Sequence, residues 1–335
     1  MRRIIFHIGG SKCASTTLQG YFSRALAHET SDLSNEWRYK YFNIRPSAPG
    51  QNIVISGDEI DNWMRHFRYR YISSMGFESI KYGLRESLHA VQQACDNGVV
   101  PILSFEHWDF DILKHPEVKT ILEDLDFAIS VYLVVRPPVD WLNSAWWQWG
   151  AFTNLPVEEW ARGKIIEADL NYDFYNAYRE WENVKTVAEI KVVEISQDPL
   201  SQFQDWVKMP RSNQGNLNVR THPALLEWLV KNKERTGRVV DPGVEFRLNE
   251  MLSLPVHPSP FVINHELCRG CIESVFENSV RLLDVIEAKA DLPESVKRKY
   301  LELDFYDNRE VLDIVDFVTK PQYIELVDSL LTKLL

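Results

Sequence analysis

The chain has 335 residues, 45% of them hydrophobic and 25% charged, with 37 Lys and Arg against 48 Asp and Glu for a net charge of −11. This composition excludes a disordered or fibrous chain, and the acidic excess excludes a long basic face tracking a nucleic-acid backbone. Cys13, Cys95, Cys268 and Cys271 are too few and too scattered for a disulfide scaffold and point to reduced thiols, and no apolar run reaches the roughly 18 residues of a membrane span.

In chain order, Ile4-Ile5-Phe6-His7-Ile8 is a β-branched and aromatic run closed by Gly9-Gly10, which predicts a strand entering a turn. The stretch before the glycines is too short for the apolar region of a signal peptide, so a cytoplasmic protein is expected. From Ser15, Leu18, Tyr21, Phe22 and Ala25 recur at helical spacing. The segment from Asp32 to Met75 has weak periodicity. A helical stretch from about Ile80 to Cys95 precedes the strand-like run Val99 to Phe105, and a helix-like segment from Leu113 to Leu125 precedes the continuous apolar run Ala128 to Val135, typical of a central parallel strand. Pro137-Pro138 opens another helix, Ile190 to Ile195 reads as one more strand, and beyond about Thr221 the pattern is almost wholly helical.

Strands alternating with helices predict a three-layer α/β/α fold around a central parallel sheet. One domain over 1–335 is expected, with the α/β core in 1–215 and a mainly helical extension, 216–335, packed on it. Ligands of such sheets bind at the carboxyl ends of the strands, which directs attention to the residues after Ile8, Phe105 and Val135.

After the first strand the chain reads Gly9-Gly10-Ser11-Lys12-Cys13-Ala14-Ser15-Thr16-Thr17-Leu18. Small residues let backbone N–H groups converge on an anion, a helix start adds positive potential, and Lys12 supplies a charge. The spacing is not that of GxxxxGK(S/T). The plain alternative is a tight turn whose helix is capped by Ser15. In the second segment, Val135-Arg136-Pro137-Pro138 through Ser144, an arginine ends a strand and a serine follows eight residues later. Two donors would then meet at one anion; otherwise Arg136 is a surface ion-pair residue and Ser144 a helix filler.

These two segments, in this order and at strand ends, resemble the sulfotransferases that use 3′-phosphoadenosine 5′-phosphosulfate (PAPS). Lys12, Cys13, Ala14, Ser15, Thr16 and Leu18 are similar to that family's 5′-phosphosulfate loop, with Cys13 standing where the family has a hydroxyl residue and Ala14 where it has glycine. Arg136 and Ser144 are similar to its 3′-phosphate motif, and His7-Ile8-Gly9 resembles its bacterial, carbohydrate-type branch. The resemblance implies a P-loop-like nucleotide-binding fold with PAPS bound by Gly10, Ser11, Lys12, Cys13, Ala14, Ser15, Thr16, Thr17, Arg136 and Ser144, and no metal. It implies in-line sulfuryl transfer to a hydroxyl, on a saccharide or glycoconjugate, with Lys12 stabilising the departing oxygen. The base it implies is Glu106, with His107 second; Glu106 would otherwise merely pair with Lys12 or Arg136. The competing readings are a kinase using ATP and a non-catalytic nucleotide-binding protein of the same fold, for which Cys13 and Ala14 speak.

Other candidates read as structural. Asp58-Glu59 suits the first turn of a helix. Trp141, Ala145 and Trp149 share one helical face and belong to a core rather than to a sugar platform. Cys268-Arg269-Gly270-Cys271 with His265 gives three ligands where zinc needs four.

Overall fold

The N-terminal run forms β1 (Arg2–His7), whose Ile4, Ile5 and Phe6 are fully buried. The computed structural model describes the chain except residues 1, 11, 35, 68–69, 96–97, 169–170, 213–220, 233–247, 249–250, 253, 256, 314–317 and 335 and the side chains of 331–334. It divides into two compact units, the first comprising Met1–Arg136, Asp169–Leu217 and Glu277–Leu292, the second Pro137–Ala168, Asn218–Phe276 and Pro293–Leu335. The helices of 137–168 thus group with the later helices, and 277–292 with the first unit. Among the described residues no helix is long and apolar enough to cross a membrane.

The first unit holds the sheet. Its further strands are β2 (Thr30–Ser31), β3 (Arg38–Ala48), β4 (Gln51–Ser56), β5 (Val99–Ser104), β6 (Phe127–Val135) and β7 (Val187–Glu194), arranged β2-β3-β5-β1-β6-β7 with β4 also on β3. The β3, β5, β1, β6 and β7 pairings are parallel, while β2 and β4 run antiparallel to β3. In register, Ile5 of β1 lies between Ile102 of β5 and Ser130 of β6.

Alternate side chains of β1 fix the two outer layers. Phe6 packs 5.5 Å from Trp108 and 5.7 Å from Trp181, ring centre to ring centre, on the helices Trp108–Lys114 and Phe174–Glu182. His7, on the opposite face, meets Phe22 of the helix Ser15–Ala25 at 5.7 Å, and Phe22 meets Phe203 of the helix Pro199–Trp206 at 4.9 Å. Burying each such ring contributes about 1.5–3 kcal/mol. The mixed α/β architecture, with helices on both faces of a mostly parallel sheet, follows from that alternation.

Two local patterns depart from expectation. The helix expected over 113–125 is two, Trp108–Lys114 and Pro116–Glu123, because Pro116 drives His115 out of the helical region to φ −130°, ψ 71°. The weakly periodic segment forms the β3–β4 hairpin, turned at Gly50 with φ 72°. Its register shifts between Pro46 and Ala48, where proline has no N–H to give the ladder. Asp58 and Glu59 occupy the first turn of the helix Asp58–Phe67.

The second unit is helical, built from Pro138–Gln148, Val157–Ile166, Pro223–Lys231, His265–Ser274, Glu294–Leu301 and Lys320–Leu334. Trp141, Trp146 and Trp147 of the first of these are buried, and Trp146 packs 5.5 Å from Trp160. Gly150 is required there, since a Cβ would stand 2.1 Å from the Trp146 ring. Asn143 binds the extended segment after Leu254 twice, donating to the Pro260 carbonyl at 3.0 Å and accepting from Val262 N–H at 3.0 Å.

Candidate functional site

The chain leaves β1 outward to β3, returns to β5, then passes over β1 to β6 and β7. The carboxyl end of β1 is therefore where the winding changes direction, the place at which open α/β sheets hold ligands. The loop expected to cradle an anion begins there.

Ile8 N–H still bonds the Tyr132 carbonyl at 3.1 Å, so the turn starts at Gly9. Cys13 N–H closes back on the Gly10 carbonyl at 3.1 Å. Lys12 and Ala14 both adopt left-handed backbone, φ 68° and 62°, a conformation costing a side-chain-bearing residue about 1–2 kcal/mol. Gly10 has no alternative, because a Cβ would lie 2.5 Å from Phe174 and 3.0 Å from Asp109 Oδ2. Ser15 does not cap the helix. Ala14 is the N-cap and provides no side-chain bond, while Ser15 Oγ donates back to the Gly10 carbonyl at 3.2 Å, so the helix start keeps its positive end. Lys12, Ala14 and Thr16 are half-buried and Cys13, Ser15 and Thr17 buried; Ser11 lies outside the described residues.

The loop is tied to the other motif. Arg136, half-buried just beyond β6, donates from Nη1 to the Lys12 carbonyl at 2.8 Å, and its buried Nε has no partner. Burial pushes the Cys13 thiol up, Arg136 pulls it down, and Asp109, Glu194 and Glu106 push it up further. Glu106 is half-buried and makes no hydrogen bond or ion pair among the described residues. β5 stops at Ser104, which places Glu106 and His107 in a turn rather than on opposite faces of a strand. Glu106 acts electrostatically on the loop, whereas His107 acts on Asp111. Ser144 belongs to the second unit, half-buried on the helix Pro138–Gln148.

Asp109 escaped the sequence reading, and His7 entered it only within the segment His7-Ile8-Gly9. Asp109 is fully buried; its Oδ1 accepts Phe110 N–H at 2.9 Å, its Oδ2 has no partner, and desolvation raises its pKa well above the carboxylate range. The signal is an acid set between two aromatic residues, Trp108 and Phe110, at the start of a helix. His7, fully buried, hydrogen-bonds Ser104 Oγ through Nδ1 at 2.7 Å, and burial lowers its pKa to about 3, so the ring is neutral. Its Nε2 has no partner and faces Gly9, where a Cβ would stand 2.8 Å away.

In the second unit, His222 Nε2 and His257 Nε2 lie 3.0 and 2.8 Å from Glu325 Oε2. His222 Nδ1 accepts Ala224 N–H, which puts the ring proton on Nε2 and leaves no lone pair there for a metal. Cys268 and Cys271 are buried and form no disulfide, and burial pushes the Cys268 thiol up to about 12. A cavity of about 820 Å³ involves Arg162, Glu266, Arg269 and Asp307, whose charges are paired with one another.

No protein-family model and no curated protein matches the chain. Among solved structures it is similar to the crystal structure of a sulfotransferase from Alicyclobacillus acidocaldarius, with a TM-score of 0.43 and 14% identity, covering 87% of this chain and 98% of that one.

Proposed function

We propose that this protein is a sulfotransferase moving the sulfuryl group of PAPS to a hydroxyl of a saccharide or glycoconjugate. The observation that carries the reading is the bond from Arg136 to the Lys12 carbonyl, which joins the two segments whose sequences resemble the phosphosulfate and 3′-phosphate motifs. The chemistry of the site suits an anionic nucleotide: a loop that excludes side chains at Gly10, an uncapped helix start, and an arginine with an unpartnered Nε.

In this reading residues 10–17 bind the 5′ end of the donor and Arg136 binds its 3′-phosphate, with Ser144 named for that phosphate by the resemblance of the sequence motif alone. The bound donor supplies the activated sulfuryl group. Lys12 offsets negative charge growing on the departing oxygen, by the preorganised electrostatics common to such transfers. Glu106, without a competing partner, takes the proton of the attacking hydroxyl. Its nearness to the loop favours it over His107. The Cys13 thiol, held protonated by burial, packs the loop and does not act as a nucleophile.

The test is transfer of radiolabelled sulfate from PAPS to a panel of saccharides by wild type, Glu106→Gln and His107→Gln. Transfer that Glu106→Gln lowers about 10²–10⁴-fold, and His107→Gln leaves largely intact, supports the assignment. Transfer insensitive to Glu106 overturns the base, and absence of transfer to any acceptor favours the non-catalytic reading.

A further inference from the structure

The least explained group near the loop is the carboxyl of Asp109. It is completely buried, its Oδ2 has no hydrogen-bond partner among the described residues, and that oxygen lies 3.0 Å from where a Cβ on Gly10 would stand. An unsatisfied buried polar atom is costly and calls for an explanation. Replacing the acid by an apolar residue of similar size would remove the cost, so a stabilising role does not account for it.

We propose that Asp109 is a ligand-binding acid of this site, its Oδ2–H donating a hydrogen bond to an oxygen of the donor's 5′-phosphate. The inference rests on the reading of the loop as the binding site for that phosphate. Burial first, and then the like charges of Asp111 on its own helix and Glu106 in the preceding turn, favour the protonated carboxyl against the opposing bond from Phe110 N–H; Cys13 of the loop, itself held protonated by burial, feels Asp109 as well, and the apolar Phe174 packs across Gly10. Oδ1 is occupied by Phe110 N–H, which leaves the proton for Oδ2, the oxygen beside the loop. A neutral acid in an apolar site donates to an anion that its ionised form would repel.

The experiment is calorimetric titration with adenosine 3′,5′-bisphosphate, which carries the 5′-phosphate, and with adenosine 3′-phosphate, which lacks it, alongside thermal melting of each protein. Asp109→Asn keeps a donor and binds the bisphosphate within about threefold of wild type, whereas Asp109→Leu keeps the volume without a donor and binds about tenfold or more weakly. Both bind adenosine 3′-phosphate like wild type, and Asp109→Leu melts no lower than wild type. As pH rises, wild type loses affinity for the bisphosphate relative to Asp109→Asn, a comparison that does not require the Leu variant to fold.

Equal binding of the bisphosphate by Asp109→Leu and wild type overturns the proposal. So does binding by Asp109→Asn as weak as by Asp109→Leu, or parallel pH profiles for wild type and Asp109→Asn. Wild type that fails to bind the bisphosphate overturns the reading of the loop itself, and the proposal with it.

Discussion

His7, at the carboxyl end of β1, and Asp109, in the first turn of the helix Trp108–Lys114, respond oppositely to pH. His7 has a folded pKa of about 3 against 6.5 when free. Between those values acid protonates only the unfolded chain, so stability falls as pH drops, by up to about 1.4 kcal/mol per pH unit. Asp109 is held protonated above its ordinary 3.8, so its contribution falls as pH rises, until the folded carboxyl itself ionises. From about pH 4, where the unfolded carboxyl begins to ionise, the two slopes oppose one another. Urea unfolding at several pH values should therefore show Asp109→Asn removing a loss of stability that sets in as pH rises above about 4, and His7→Asn removing a loss that sets in as pH falls below 6.5; curves parallel to wild type would contradict both burial assignments. Asp109 was not singled out in the sequence, and His7 stood out only as part of His7-Ile8-Gly9, without its burial or its bond to Ser104. A buried histidine and a buried acid look like any other until the sheet brings Ser104 and Gly10 against them.

The loop and its helix show a local cost retained at a candidate site. Ala14 occupies φ 62° as an uncapped N-cap, a backbone suited to glycine, and Ala14→Gly should stabilise the fold by on the order of 1 kcal/mol. Thermal unfolding should register this as a rise of a few degrees. A lower melting temperature would mean that the left-handed turn is not strained. Glycines, lysine and hydroxyls together suggest an anion cradle in the sequence, because small residues and helix starts have few other uses together, and the proposed function rests on that reading. The role of Ser15 was not readable: cap and back-bond use the same residue type, and only geometry separates them. Likewise Pro116 signalled a helix break that apolar spacing across 113–125 obscured. The β3–β4 hairpin was hidden because β3 buries Tyr41, Phe42, Asn43 and Ile44 consecutively, without the alternation of a half-exposed strand.

Across the chain, alternation of strands and helices sufficed to predict the parallel sheet, since buried strands such as β6 are continuous apolar runs bounded by turns. The order of the strands was not encoded in any one segment. It depends on pairings over more than a hundred residues, such as β1 with β6, and it decides which loop lies at the switch point. A protein of net charge −11 needs local positive charge to bind an anionic nucleotide, and in the proposed reading Lys12, Arg136 and the helix start supply it at that loop. The central claim is that Arg136 reads the 3′-phosphate beside this loop. Calorimetric titration with adenosine 3′,5′-bisphosphate, ATP and ADP tests it most directly, using wild type and Arg136→Ala. The account predicts metal-independent binding that prefers the bisphosphate and weakens by about tenfold or more in the variant. A magnesium-dependent preference for ATP, or bisphosphate binding unchanged in Arg136→Ala, would contradict it.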